Sequence, residues 1–221
     1  MISLPRIYSI EGNIGSGKTT IFNKLRKIIQ NEKICFIEEP VDIWQSIESR
    51  EDHENILVKF YKNKEKYAFS FQIMAFLTFS NQIKKCIREN PLCEIIISER
   101  SIESAYNIFT KMAIDEKYMD DIEFQIYQMM YLDNHFKLSG IIYVNTEPVI
   151  CKERIIIRAR EGESIISLEY LEKCKKYHDE WLIPLSLKYT HGEKDVFVYI
   201  LYNNKSHDTE VDIIINIINK L

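Results

Sequence analysis

The segment GNIGSGKTT, residues 12–20, constrains what this chain can fold into more than any other. Gly12 through Thr19 fit the pattern G-x-x-x-x-G-K-[ST], in which a glycine-rich turn directs backbone N–H groups at the phosphates of a nucleotide. Such a loop needs a buried strand before it and a helix after it. Both are expected here: IYSIE (7–11) reads as a buried strand, and TIFNKLRKII (20–29) carries apolar residues at helical spacing. Gly12, Gly15 and Gly17 allow the positive φ and close backbone approach of a phosphate cradle, which Asn13, Ile14, Ser16 and Thr20 complete. The following helix turns its positive end to the anion. Lys18 is then expected to reach the β- and γ-phosphates, and Thr19 to ligate Mg²⁺.

Composition narrows the partners. With 221 residues, 46% of them hydrophobic, the chain fills one sizeable core and is read as a single domain, 1–221. Net charge is −4 and basic residues are mixed with acidic ones throughout, so no basic stripe marks a nucleic acid and the substrate is expected to be small. Five cysteines, at 35, 86, 93, 151 and 174, include no C-x-x-C pair. Their spacing argues against a disulfide framework or a zinc site and for reduced thiols in a cytoplasmic compartment. No apolar run approaches a membrane span, and a first strand starting near residue 6 leaves no room for a signal or transit peptide.

Strand patterns at 6–11, 33–38, 94–99, 140–144 and 196–201 are separated by helical patterns at about 17–30, 41–48, 55–90, 101–112, 120–137, 147–160 and 167–188. Thr146 is the expected cap of the helix that Pro148 opens, and HGEKD at 191–195 the loop before the last strand. This alternation predicts an α/β fold, a five-stranded parallel sheet with helices on both faces and the ligand at the carboxyl ends of the strands. The residues just past each strand end should therefore carry the chemistry. EEPVDIW (38–44) comes after the second, where Pro40 turns the chain out and leaves Glu39 facing the phosphate loop. ERS (99–101) comes after the third, setting an acid suited to Mg²⁺, Glu99, beside an arginine suited to phosphate oxygens, Arg100. Either alone is more often a solvated charge; with Lys18 they compose a phosphoryl-transfer site.

Six segments in order, IEGNIGSGKTT (10–20), EEPVDIW (38–44), YKNKEKYAFSFQ (61–72), ERSIESAYNIF (99–109), LSGIIYV (138–144) and RIIIRAREGE with SLEYLEKC (154–174), resemble the deoxyribonucleoside kinase family. The resemblance spans nearly the whole chain and is weakest in the last strand and the tail. It implies a kinase that moves the γ-phosphoryl of ATP, with Mg²⁺, to the 5′-hydroxyl of a deoxyribonucleoside. By the same resemblance Glu39 takes the hydroxyl proton, Arg100 holds Glu39 and the migrating group, Glu99 and Thr19 position Mg²⁺, and Lys18 bridges the donor phosphates. Arg154, Arg158 and Arg160 resemble the family's arginine-rich lid, about 154–165, against the blander reading of a solvated basic face paired with Glu147, Glu153 and Glu161.

For the acceptor, Gln72 resembles the family's base-reading glutamine, and its amide offers one donor and one acceptor to a base edge. Trp44, Phe76 and Phe109 match the family's apolar walls, and Tyr61 with Glu163 the pair that grips the 3′-hydroxyl. Core packing is the plainer reading of any one aromatic. The family's deoxycytidine and deoxyguanosine kinases carry an arginine and an aspartate beside the base, where this chain has Phe79 and Ala105. Losing that pair frees apolar space near the pyrimidine 5-position and favours thymidine, with deoxycytidine also accepted. A homodimer through the helices at 55–90 and 120–137 is implied as well. Two other readings stay open: a thymidylate kinase, which normally shows DRY where this chain has ERS and lacks EEPVDIW, and a non-catalytic subunit on the same fold, which would tend to lose Lys18, Glu39 or Arg100.

Overall fold

The computed structural model describes residues 4–134, 136–190, 196–204 and 214. In chain order the elements are β1 (Arg6–Gly12), α1 (Lys18–Ile28), β2 (Ile34–Ile37), α2 (Val41–Gln45), α3 (Ile56–Lys62), α4 (Lys64–Glu89), β3 (Ile95–Glu99) and α5 (Ile102–Ser104). A π-helical segment (Ala105–Thr110) leads into α6 (Lys111–Asp115), followed by α7 (Asp121–Leu132), β4 (Leu138–Asn145), α8 (Pro148–Arg158), a 3₁₀ turn (Glu163–Ile165), α9 (Leu168–Thr190) and β5 (Phe197–Tyr202). The five strands form one sheet in the order β2-β3-β1-β4-β5 with every neighbour parallel, as the alternation predicts.

Period-two alternation sorts the strand side chains between two helical layers. From β1, Tyr8 and Ile10 meet Ile21, Phe22 and Leu25 of α1 on one face, while Ile7 joins Phe76, Phe79 and Ile83 of α4 on the other. Both faces are thus covered, and the carboxyl ends of β1, β2 and β3 come side by side, with Ile10 opposite Glu99 and Ile37 opposite Ser98.

The helix expected over 55–90 is two helices. Asn63 leaves the helical region (φ −145°, ψ 84°), ends α3, and caps α4 by accepting from the Lys66 N–H. An asparagine amide competes with the helix ladder at low cost, and the apolar spacing on either side conceals the break. The turn folds Phe60 onto Phe71, their rings stacked at 4.7 Å. Over 101–112, Ser101 and Ser104 form a reciprocal cap and the helix widens into π geometry at Ala105–Thr110. Helix α8 begins one residue later than expected: Glu147 is its N-cap and Pro148 its first residue. Thr146 instead donates its hydroxyl to the carbonyls of Ser16 (3.0 Å) and Asn203 (3.3 Å), tying the phosphate loop to the end of β5. The helix expected over 120–137 stops at Leu132, and that over 41–48 at Gln45. The loop expected at 191–195 lies outside the described residues. Among the described residues no helix is long and apolar enough to cross a membrane.

Candidate active site

The turn from β1 into α1 has the backbone that its glycines foretell. Gly12 has φ 151° and Gly15 φ 78°; a Cβ on either would stand 2.6 Å from the Val144 carbonyl oxygen or 2.4 Å from that of Cys151. Only glycine lets the loop pass so close to β4 and α8. Within the loop the Asn13 amide donates to the Leu171 carbonyl (2.8 Å) and its side-chain oxygen accepts from the Ile14 N–H (2.8 Å), while the buried Lys18 Nζ donates to the Asn13 carbonyl (2.8 Å). Burial, reinforced by the charge of Arg100, pushes Lys18 down to about 8. The Ser16 hydroxyl is buried and meets no partner among the described residues. Thr20, in the first turn of α1, has an exposed side chain beside Asn23 and Lys24.

Glu99, the last residue of β3, accepts a 2.5 Å hydrogen bond from the Thr19 hydroxyl, and its carboxyl is pushed up by burial and by the nearby Glu39. Arg100, the next residue, holds φ at 64°, left-handed backbone that strains a non-glycine residue by about 1–3 kcal/mol. Its N–H is bonded to the Ile10 carbonyl (3.0 Å), and the twist brings Nε 2.8 Å from Glu39 Oε1 and the guanidinium 5.1 Å from the Phe109 ring. Burial disfavours the Arg100 charge, but Glu39, then Glu11 and Glu99, outweigh it and raise its pKa. Arg100 Nη1 is buried with no hydrogen-bond partner among the described residues.

Two joined cavities open from this pair. One is polar, lined by Gly15, Lys18, Thr19, Glu99, Arg158, Arg160 and Glu163; the other is apolar, lined by Phe71, Gln72, Phe79, Ala105, Phe109 and Tyr170. Glu39, Arg100, Tyr61, Trp44, Leu57 and Ile14 border both. Gln72 borders this cavity, is 1% exposed and has a side-chain oxygen with no partner among the described residues, an acceptor left free for a ligand. Trp44 is fixed by its Nε1–H to Thr78 Oγ1 (3.0 Å), with Phe79 set edge-on at 6.1 Å. Burial, then the charge of Glu163, raises the Tyr61 pKa, which keeps its hydroxyl a donor. Phe76, expected as a wall, lies in the core edge-on to Tyr127 (6.1 Å) and not on the cavity: four residues beyond Gln72 it has turned toward α7.

The three arginines of 154–160 separate. Arg158 donates to Glu163 Oε2 through Nη2 (2.5 Å) and Nε (3.1 Å), and Arg160 to Oε1 (3.2 Å), so one buried carboxylate gathers both at the polar cavity. Helix α8 ends between them, at Ala159, φ 52°. Arg154 instead donates to the Ser16 carbonyl (3.0 Å) and the Asn203 carbonyl (3.3 Å), bracing the back of the phosphate loop beside Thr146.

Two acids escaped the sequence reading. Glu11, fully buried in β1, accepts from the Ser101 hydroxyl (2.5 Å) and is raised by burial against the pull of Arg100; it underpins the backbone turn that aims Arg100. An acid in an otherwise apolar strand was the available signal. Glu103 is raised to about 7, chiefly by burial. A carboxyl so raised takes up a proton on folding, so the penalty it places on the folded state is absent at low pH and grows as pH climbs from 4.5 to about 7. Glu103→Gln is therefore expected to stabilise the fold at pH 8 by up to roughly 3 kcal/mol, read as a higher thermal midpoint, and to change little at pH 4. Thermal melts across that range check the sign; equal shifts at both pH values would rule out the titration.

The chemistry on offer is that of phosphoryl transfer. Unpartnered buried donors at Ser16 and Arg100, the Lys18 ammonium and the glycine cradle fit a polyphosphate, and the paired oxygens of Thr19 and Glu99 fit Mg²⁺ or its water shell. The deoxynucleoside kinase family model matches residues 8–220. Over 205 residues the chain is 32% identical to human deoxycytidine kinase, covering 81% of this chain and 76% of the relative. The fowlpox virus "Probable deoxycytidine kinase" is 34% identical over 178 residues (79% and 70%), and the mitochondrial deoxyguanosine kinase of Xenopus laevis 30% over 197 residues (79% and 72%). Loop, strand-end acids and sequence agree: the chain belongs to the deoxynucleoside kinase family and is an ATP-dependent deoxynucleoside kinase.

Proposed function

We propose that this enzyme transfers the γ-phosphoryl of ATP to the 5′-hydroxyl of a deoxyribonucleoside, preferring thymidine and accepting deoxycytidine. The observation that carries the reading is the junction itself: the Glu39–Arg100 pair (2.8 Å) stands where the polar cavity meets the apolar one. Glu39 accepts the proton as the 5′-oxygen bonds to phosphorus, and the bond to the departing ADP oxygen breaks. Arg100 orients Glu39 with Nε and keeps Nη1 for the transferring oxygens. Lys18 and the loop N–H groups take the charge that gathers on the donor phosphates. Mg²⁺, when bound, neutralises the same phosphates; Thr19 and Glu99 are the residues that would hold it. Little covalent help is required, since positioning and charge neutralisation supply most of the acceleration.

The whole chain works as one catalytic domain, with about 154–165 as a lid: Arg158 and Arg160 turn from Glu163 toward the donor, freeing that carboxylate and Tyr61 for the 3′-hydroxyl. Gln72 reads the base edge, and Phe79 and Ala105 border the pyrimidine 5-position. Thymidine is accordingly expected to show a kcat/KM at least equal to that of deoxycytidine and well above that of deoxyguanosine. A pocket that only accommodates a methyl discriminates by about ten- to two-hundredfold. Assays with the four deoxynucleosides and thymidine monophosphate decide the reading: strict purine use defeats the assignment of Phe79 and Ala105, and use of the monophosphate alone would make the enzyme a thymidylate kinase. Phe79→Arg with Ala105→Asp should reduce thymidine use and raise relative use of deoxycytidine or purines.

A homodimer is also proposed. Ile122, Ile126, Met129 and Leu132 on α7 stand 45–73% exposed, and Leu77 on α4 48%. An apolar stripe of that kind is what a self-complementary helix pair buries. Sedimentation at micromolar concentration should report twice the chain mass, and Met129→Lys should halve it; a monomeric parent protein would refute the dimer.

A further inference from the structure

Cys35 on the edge strand β2, Cys86 in the last turn of α4 and Cys93 just before β3 are far apart in sequence, yet their three sulfurs lie within 4.8 Å of one another. Residues that are distant along the chain, with no metal-ligand spacing between them, are brought together across the sheet edge by the fold. Pairing of β2 with β3 sets Cys35 opposite Ile96, and a turn closed by the Cys93 N–H on the Asn90 carbonyl (3.0 Å) swings Cys93 back toward the end of α4. Cys93 Sγ also lies 3.3 Å from the Ile95 carbonyl oxygen, which anchors it. All three are free, half-buried thiols, and among the described residues no other His, Cys, Asp or Glu groups converge as three potential ligands. An open groove of about 770 Å³ runs past Cys35 and Cys86, so an ion reaches the sulfurs without unfolding. None of the three borders the cavities of the phosphoryl-transfer site.

Metal–thiolate bonds of about 2.3 Å bring the sulfurs of a three-thiolate site to roughly 4 Å apart, a contraction that side-chain rotation can supply here. We propose that Cys35, Cys86 and Cys93 form a binding site for a thiophilic closed-shell cation of the Zn²⁺ or Cu⁺ class. The fourth position is left to water or to Glu89, which lines the groove one turn beyond Cys86. Binding forms three metal–sulfur bonds and releases the thiol protons to solvent, with no change of oxidation state. Occupancy clamps the sheet edge to the end of α4 and so raises stability by mass action.

The test uses the reduced full chain, freed of metal, with Cd²⁺ as a spectroscopic probe and Zn²⁺ in thermal melts. One equivalent of Cd²⁺ should saturate an ultraviolet thiolate-to-metal charge-transfer band of three-sulfur intensity, and Zn²⁺ should raise the melting midpoint. Cys35→Ser, Cys86→Ser and Cys93→Ser should each remove about a third of the band and weaken binding at least about tenfold, whereas Cys174→Ala should keep it. Should a serine variant fail to fold, alkylation of the parent protein still decides: Cd²⁺ must protect Cys35, Cys86 and Cys93 together, as read by peptide mass spectrometry. Absence of the band at one equivalent, protection of other cysteines, or a disulfide between two of the three in air-equilibrated protein with no metal uptake after reduction would each overturn the site.

Discussion

Lys18→Ala is expected to abolish phosphoryl transfer, lowering kcat by on the order of a thousandfold or more, while the fold and nucleoside binding survive. The lesion lies on the donor side: Lys18 borders the polar cavity and is absent from the lining of the apolar one. Survival of the fold is a consequence of its environment. Lys18 is 5% exposed, and burial with the Arg100 charge already depresses it to about 8, so removing the ammonium relieves a desolvated cation and leaves only the Asn13 carbonyl short of a donor. Calorimetry of nucleoside binding beside steady-state rates separates the two effects. Normal turnover would remove the phosphate loop from the mechanism.

Glu39→Gln is expected to lower kcat by about a hundredfold or more with a much smaller change in nucleoside affinity. Glutamine keeps the shape and an oxygen for Arg100 Nε but can no longer accept the 5′-hydroxyl proton. Arg100, left buried beside a neutral partner, retains Glu11 and Glu99 as compensating charges, so the site should stay assembled. A near-normal kcat with a raised KM would make Glu39 a binding residue and shift the proton's destination elsewhere.

The placements that the fold reproduces are those written in contiguous residues. GNIGSGKT foretold its loop because glycine alone tolerates approaches of 2.4–2.6 Å from a would-be Cβ to the Cys151 and Val144 carbonyls, and that requirement is written into the residue type. Glu39, Glu99 and Arg100 were legible because strand ends in a parallel sheet converge, whatever the intervening helices do. Gln72 stood out as a polar side chain in an apolar run, and it is buried with an unpaired oxygen. Glu11 offered the same signal in β1.

Other features were invisible for a physical reason. The break at Asn63 lies within unbroken apolar spacing, and the choice between helix and cap is settled by which layer Phe60 and Phe71 must fill. Phe76 and Phe79 share a helix and a residue type, yet one meets Tyr127 in the core and the other borders the cavity, a difference set by the neighbouring α7. Arg154 and Arg158 are equivalent along the chain, but the first is captured by the Ser16 and Asn203 carbonyls and the second by Glu163.

Sequence by itself determined the alternation of strands with helical segments, the parallel sheet and the positions of the glycine loop and the strand-end acids, because local backbone preference and short-range patterning suffice for each. Tertiary structure alone decided the division of the arginines, the turning of Phe76 into the core and the convergence of Cys35, Cys86 and Cys93. Those depend on distances between residues remote in the chain, and such distances exist only once side-chain packing has fixed how the layers meet.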